Sequence, residues 1–301
     1  MKPRILVVGN TYIDFVCRAE TMPERGQVLV SELGYAFVAS GNGVFEAVGA
    51  SRRGADVVFC TKLGNDAYAS QLKKKFAAEN VDARFVGVHK SSQTGLCVTV
   101  CENTGRDRVI IYPGANAALT AGEIDDAFSC YPDALLISCD VKTDNVLAAA
   151  EYAKRDGVKL FLDLRGAENA FPLEKIVKAH TLILDEKSVY SLCGMYTNDV
   201  NGCLGACISL SSKLDVKFCV INLENRGSFV YDGTYSRIID PVEVPIVDRT
   251  ASHEAFCAAL CAGFLSDGDI YKACAAANSS FAFSASRLGG ISSLPKEGKN
   301  Q

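Results

Sequence analysis

The chain reads as an α/β protein with a doubly wound, mostly parallel sheet flanked by helices and a small second β-sheet beside it. Three observations predict this class. Short runs of Val, Ile and Leu, too uniformly apolar for strands wetted on one face, recur along the chain; such runs suit strands covered on both sides. Longer stretches with helical spacing alternate with them, the pattern of right-handed βαβ units. Two segments in the first third break the alternation and carry β character of their own.

In chain order the expected core strands are Ile5–Val8, Val57–Cys60, Leu135–Ser138, Leu160–Asp163, Leu182–Leu184 and Phe218–Leu223. The expected helices are Gly43–Arg53, Asp66–Ala78, Thr143–Arg155, Val200–Lys213, Glu254–Leu265 and Asp269–Arg287. Of the two interrupting segments, Gln27–Val38 has β character. Gly95–Tyr112 reads as a hairpin: Leu96, Val98 and Val100 alternate, Asn103-Thr104-Gly105 turns, and Val109–Tyr112 returns. Together they predict a small sheet able to cover a ligand at the C-terminal edge of the parallel strands, where open α/β sheets bind ligands. No repeat or linker divides the 301 residues, so one domain over 1–301 is expected, with a lid over approximately 10–40 and 92–113.

Composition narrows the function classes. About half the residues are apolar (49%), enough for a sizeable core, and the net charge is −4 with both signs interspersed. That pattern lacks the basic footprint of a nucleic-acid binder. The apolar stretch near the N-terminus, Ile5–Val8, is too short for a signal peptide, and no segment reaches the ~20 apolar residues that span a bilayer. A cytoplasmic protein without membrane or nucleic-acid partners is expected. Several of the 13 cysteines stand four apart (Cys97/Cys101, Cys203/Cys207, Cys257/Cys261), but no CxxC occurs and there are only three histidines. The thiols are read as small buried hydrophobes rather than a metal or redox centre.

The most informative stretch is Asp248-Arg249-Thr250-Ala251-Ser252-His253-Glu254, followed by an Ala/Cys/Phe/Leu-rich helix. Unpaired backbone N–H groups at a helix start bind anions, phosphate above all. Glu254 in the first turn is equally accounted for by the helix dipole. Gly41-Asn42-Gly43 lies before another helix; it is a weak dinucleotide signal, since the first strand is followed by Gly9-Asn10-Thr11-Tyr12 without the required glycine spacing. It serves as well as a helix-start turn or a loop approaching a polar ligand. Asp14 follows the first strand closely; it can accept hydrogen bonds from ligand hydroxyls or serve only as a loop or cap residue.

In their order these features resemble the ribokinase-like (PfkB) sugar and nucleoside kinases, from Gly9 to about Pro295. Asp14 matches the early substrate-binding aspartate. Ser40-Gly41-Asn42-Gly43-Val44-Phe45-Glu46-Ala47-Val48 resembles the first signature, Gly-Gly-Lys-Gly-Ala-Asn-x-Ala-Val. Leu63-Gly64-Asn65-Asp66, Thr94-Gly95 and Pro113-Gly114-Ala115-Asn116 match further elements. Val247–Phe256 falls where the second signature, Val-Asp-Thr-Thr-Gly-Ala-Gly-Asp-Ala-Phe, belongs. The resemblance implies transfer of the ATP γ-phosphoryl group to a hydroxyl with Mg²⁺, a chemistry that rests on positioning and electrostatics. Carried over residue by residue, Glu254 stands at the general base and Ala251, Ser252 and His253 at the anion hole. Asp14, Gly41, Asn42, Phe45 and Asp140 stand on the substrate side, with Phe45 suited to stacking on an apolar ligand face. Asp185, Asn222, Glu224, Gly227 and Asn278 stand on the nucleotide side, and Glu186 is the candidate metal ligand.

The departures fall on the phosphate-handling elements. Gly-Ala-Gly-Asp is Ala251-Ser252-His253-Glu254, which adds side chains where glycine permits positive φ and lengthens the base by a methylene. Displacement by ~1 Å costs about 10²-fold. Asn-x-x-Glu becomes Asp185-Glu186-Lys187-Ser188, and Thr-x-Gly becomes Asn222-Leu223-Glu224. Glu224 would repel phosphates unless a metal or Arg226 intervened. The scaffold positions Gly114, Asn116, Gly194, Gly227, Ala255 and Phe256 persist. Three readings stay open: a divergent small-molecule kinase, a kinase-fold protein impaired in catalysis that binds a sugar-like or nucleoside ligand, and a structural subunit that forms a homodimer through the lid sheet.

Overall fold

The computed structural model describes residues 2–102, 107–167 and 171–296. In chain order the first half contains β1 (Arg4–Val8), β2 (Tyr12–Ala19), β3 (Tyr35–Ser40), α1 (Asn42–Arg52), β4 (Asp56–Gly64), α2 (Ala67–Ala78), β5 (Val81–His89), β6 (Gly95–Glu102), β7 (Asp107–Tyr112), α3 (Ala121–Phe128) and β8 (Ala134–Ser138). The second half adds α4 (Thr143–Asp156), β9 (Lys159–Asp163), β10 (Lys178–Asp185), α5 (Glu186–Cys193), α6 (Val200–Ser211), β11 (Asp215–Asn222), β12 (Ser228–Tyr231), β13 (Ser236–Ile239), α7 (Ser252–Asp267) and α8 (Ile270–Ala285).

Nine strands form the main sheet in the order β13-β12-β11-β10-β9-β8-β1-β4-β5. It is parallel from β11 to β5, and β12 and β13 add an antiparallel edge. Its central strands are largely buried, as their apolar runs required: all five residues of β8 are inaccessible, and the last four of β1 and of β9 are buried. Alternate side chains feed two cores. Ile5, Val7, Phe59 and Phe161 pack with α1, α2, α7 and α8 on one face. Leu6, Val8, Ile137 and Leu162 pack with α3, α4 and α6 on the other.

The second sheet has the order β3-β2-β6-β7. The predicted hairpin is present as the antiparallel pair β6/β7, and its Asn103-Thr104-Gly105 turn lies outside the described residues. Two expectations change here. Only the end of Gln27–Val38 is strand, since β3 starts at Tyr35 and residues 27–34 are exposed and irregular. Asp14 lies within a strand, β2, rather than in a loop or cap.

The small sheet is tied to the large one at its root. The Asp66 carboxylate accepts from the Thr94 backbone N–H (2.7 Å) and hydroxyl (2.8 Å) just before β6. The buried Asn116 amide, just after β7, accepts from Thr11 N–H at 2.9 Å and donates to the carbonyls of Thr11 (2.8 Å) and Pro113 (3.0 Å). Motifs far apart in sequence are thus hydrogen-bonded partners.

Candidate functional site

The parallel strands deliver polar residues from their C-terminal ends: Asp140 after β8, Asp163 and Arg165 at and after β9, Asp185 at the end of β10 and Asn222 at the end of β11. This is where open α/β sheets hold ligands. The start of α1 is brought here by a backbone crossing of two glycines. A Cβ on Gly43 would lie 2.6 Å from Gly9 Cα, so no side chain fits at the contact. Gly41, at φ 112°, makes the turn before it.

The turn before α7 is anchored first. The N–H groups of Val247 and Asp248 both donate to Ala285 O, and the Asp248 carboxylate accepts from the N–H groups of Thr250 (2.8 Å) and Gly289 (2.9 Å). Ala251 then adopts φ 65°, ψ 1°, left-handed backbone in a residue with a Cβ. Such a conformation costs about 1–2 kcal/mol outside glycine. Glu224 does the same at φ 56°. Both stand where the resembled motifs carry glycine, the residue best suited to such backbone. Ser252 is buried, and its hydroxyl donates to Arg249 O at 2.8 Å.

His253, in the first turn of α7, is held by the ends of two strands. Asn222 Oδ1 accepts from Glu224 N–H at 2.9 Å, which leaves Asn222 Nδ2 to donate to His253 Nδ1 at 3.2 Å. The opposite ring nitrogen, Nε2, then carries the hydrogen and donates to Asp163 Oδ1 at 3.0 Å. The tautomer is assigned from this network. Burial alone would lower the imidazole's pKa, but Asp163 outweighs it and the ring is lifted above its ordinary value. A second proton, on Nδ1, requires Asn222 to turn its amide.

Glu254 is 1% exposed, and its Oε1 lies 2.7 Å from Arg165 Nη2. The contact is ionic: neither carboxylate oxygen receives a hydrogen bond of good angle. Glu46 on α1 is wholly buried with both oxygens unpartnered. Burial, then the charges of Asp163, Asp140 and Glu254, push its carboxyl well above the usual range, so the protonated form is favoured. Asp140 accepts from the Ser138 hydroxyl, and its own backbone oxygen accepts from Asn10 Nδ2 at 2.8 Å. Burial raises the Asp140 carboxyl to about 6, with Ser138 opposing and Asp163 adding to the rise. Part of the residue still reaches solvent, as befits the floor of a cleft.

The other expected site residues are more dispersed. Asp14 is held on the small sheet by Thr99, whose hydroxyl donates to it at 2.8 Å; burial raises its carboxyl. Asn42 opens α1 and is half-buried. Phe45 is not displayed to a ligand: it lies in the core, with its ring against Gly290. Asp185 is engaged as the cap of α5, accepting from Ser188 N–H at 2.7 Å. Its burial is outweighed by His253 and Ser188, which hold the carboxyl below its ordinary value.

Glu186 is bound by Arg226 and by the Thr197 hydroxyl (2.7 Å), which leaves little of it for a metal. Glu224 pairs with Arg249, and Arg226, the residue that would have intervened between it and a phosphate, is taken by Glu186. Gly227, at φ 86°, packs a turn directly against Ile239 O. The Asn278 amide donates to Ile239 O (3.1 Å) and Asp240 O (2.9 Å), so its donor end is spent on backbone rather than on a base.

Sequence reasoning missed three members of the central cluster: Glu46, Asp163 and Arg165. The available signal was position. Asp163 ends a predicted strand, Arg165 follows by two, and charged residues leaving a parallel strand face the ligand edge.

The pfkB family carbohydrate kinase model matches residues 2–297. The chain belongs to that family. The ribokinase of Haemophilus influenzae is 25% identical over 98% of this chain and 96% of its own length. The bifunctional ribokinase/ribose-5-phosphate isomerase A of Fructilactobacillus sanfranciscensis is 28% identical over 85% of this chain, and the match spans about half (48%) of that longer protein. Among solved structures, Arabidopsis thaliana ribokinase complexed with ribose and ATP superposes with a TM-score of 0.88 at 20% identity, covering 98% of this chain and 96% of that one. A putative ribokinase II from E. coli, in complex with ATP and Mg²⁺, gives 0.81 at 19% identity over 97% and 96%. Both likenesses establish the fold: a mostly parallel sheet flanked by helices with a small second sheet. No helix among the described residues is long and apolar enough to cross a membrane.

Proposed function

We propose that this family member binds a sugar-like, polyhydroxylated ligand at the C-terminal edge of the main sheet, and that its own side chains have closed the phosphoryl-transfer centre. The observation that carries this reading is the His253 imidazole, held between Asp163 and Asn222 at the mouth of α7, where backbone N–H groups would otherwise receive an anion. Glu254, in the place of the base, is buried against Arg165. The contact ties the carboxylate to Arg165 rather than leaving it free to face a substrate hydroxyl.

The nucleotide side fits a magnesium triphosphate poorly. Asp185 and Glu224 place acids where phosphates would lie. The nearby arginines are each taken by a carboxylate: Arg226 by Glu186, Arg249 by Glu224 and Arg165 by Glu254. On the ligand side, Asp14, Asn42 and Asp140 remain as hydrogen-bonding groups, and the small sheet is the cover.

One observation favours a second reading, a slow kinase. Ala251 retains left-handed backbone and Glu254 keeps a carboxylate in the first turn of α7. Thermal shift with ribose and with ATP–Mg²⁺ separates the two. Stabilisation by ribose alone supports the binding protein; ATP-dependent phosphorylation of ribose that Glu254→Ala abolishes overturns it. The combined variant Ala251→Gly, His253→Gly, Glu254→Asp is expected to gain ATP-dependent stabilisation.

The small sheet also offers a surface for a second copy of this chain. Its edge strand β7 is exposed throughout, with Val109, Ile110, Ile111 and Tyr112 open to solvent, and β3 at the other edge exposes Tyr35 and Phe37. Unpaired apolar edges are normally covered. Light scattering is expected to give a dimer that Ile110→Asp dissociates; a monomeric wild-type protein overturns this.

A further inference from the structure

The cluster around His253 carries more negative charge than its neighbours offset. Even with Glu46 protonated, the acids Asp140, Asp163 and Glu254 outnumber one guanidinium, Arg165, and one imidazole, His253. Three groups in this cluster differ in donor type yet converge. A carboxylate oxygen of Asp163, a ring nitrogen of His253 and Cys257 Sγ all lie within 4.8 Å of one another, and all three residues are buried. His253 and Cys257 are four apart on α7, so both project from one helix face, while Asp163 comes from the end of β9.

We propose that Asp163, His253 and Cys257 form a binding site for a zinc-class divalent ion. One oxygen, one nitrogen and one sulfur donor is a set that suits tetrahedral Zn²⁺. Bond lengths of ~2.0–2.3 Å place tetrahedral donors ~3.3–3.8 Å apart, so a contraction of about 1 Å brings the three donors to bonding distance. Two further observations point inward to a ligand. Asp163 Oδ2 is fully buried and has no hydrogen-bond partner. Glu46, with both oxygens buried and unpartnered, lies within electrostatic reach of both Asp163 and Cys257 and adds to the negative potential a cation would meet there.

Binding at His253 Nε2 moves the ring hydrogen to Nδ1, where Asn222 turns its amide to accept it. This is the outer support metal-bound histidines require. The thiol hydrogen of Cys257 leaves to solvent, and the ion's charge balances the surplus carboxylates. With every donor buried the site is of the closed, structural kind, holding α7 to β9. It stands independently of which sugar-like ligand the cleft takes.

The test uses the whole chain, stripped with chelator, dialysed and reloaded. With ZnCl₂ a stoichiometric ion is expected to stay bound through gel filtration and to raise the melting temperature. With CoCl₂ the sulfur-to-cobalt charge-transfer band and the intense visible bands of tetrahedral cobalt are expected. Cys257→Ala is expected to lose the charge-transfer band and the thermal shift, while Cys274→Ala, on α8, keeps both. If Cys257→Ala fails to fold, Cys257→Ser replaces it, and the wild-type cobalt spectrum decides by itself. Absence of a sulfur charge-transfer band in the wild type, or the same band in a folded Cys257 variant, overturns the site.

Discussion

Arg165 Nη2 lies 2.7 Å from Glu254 Oε1, and this guanidinium is the cation that faces Glu254, Glu46 and Asp140 together. The carboxylate is 1% exposed while the Arg165 side chain retains 36%. The pair is therefore buried on the acid's side and screened on the base's.

Removing the guanidinium should cost more than an exposed ion pair is worth. Breaking a fully buried pair costs about 3–5 kcal/mol, and the partial exposure of Arg165 reduces this to about 2–3 kcal/mol. Urea denaturation of Arg165→Met is expected to show that loss, with Arg165→Lys recovering part of it. An unchanged midpoint in Arg165→Met would show that Glu254 is not held by this contact.

Glycine at Ala251 should stabilise the protein. Left-handed backbone costs a Cβ-bearing residue about 1–2 kcal/mol, against roughly 0.5–1 kcal/mol for glycine's greater freedom in the unfolded chain. Ala251→Gly is expected to gain up to about 1 kcal/mol in thermal or urea unfolding. A loss of stability would mean that the φ of 65° is not strained here.

Ligand binding should strengthen as pH rises through about 6, because burial lifts the Asp140 carboxyl to about 6 and only the charged form is a full acceptor for sugar hydroxyls. The sign for stability is opposite. Between ~3.9 and about 6 the native state keeps a proton that the unfolded chain has released, so this group's contribution falls as pH rises through that window. Calorimetric titration with ribose from pH 5 to pH 8 checks the first, and Asp140→Asn should flatten the profile. A profile identical in Asp140→Asn would remove Asp140 from the ligand side.

Asn116→Ala should weaken the junction of the two sheets. The amide satisfies the N–H and C=O of Thr11 as well as Pro113 O, and its loss leaves buried backbone groups unpaired. The expected cost is about 2–3 kcal/mol. Hydrogen exchange at Thr11 should rise in step; exchange at wild-type rates would show that water replaces the amide.

The main sheet was legible because its signal is local. Apolar runs such as Leu135–Ser138 and Leu160–Asp163 fall within β8 and β9, and the helix expected over Thr143–Arg155 is α4 to within a residue. What was missed lacked that signal. β2 (YIDFVCRA) has no clean alternation, and β13 is a four-residue strand exposed on most positions. The turn before α7 was found because its residues are contiguous. The cluster it joins was not, since Glu46, Asp163 and Arg165 meet only through the order of strands in space. The cysteines behave as expected in bulk, free and mostly buried, yet Cys257 faces an imidazole and a carboxylate, a juxtaposition that spacing alone does not reveal.

Asp66–Thr94 and Asn116–Thr11 clamp the hairpin at its root. From that root β6 runs eight residues, an arm of about 25 Å at ~3.3 Å per residue. A tilt of ~10° at the clamp would therefore sweep the far end by ~4 Å, by lever arithmetic on that same arm. Changes of a few tenths of an ångström at Asp66 or Asn116 would be geared up into the difference between a covered and an open cleft. If the small sheet is the cover proposed above, the two knots at its root would set the mechanical advantage of that cover, although neither touches the acids of the main sheet.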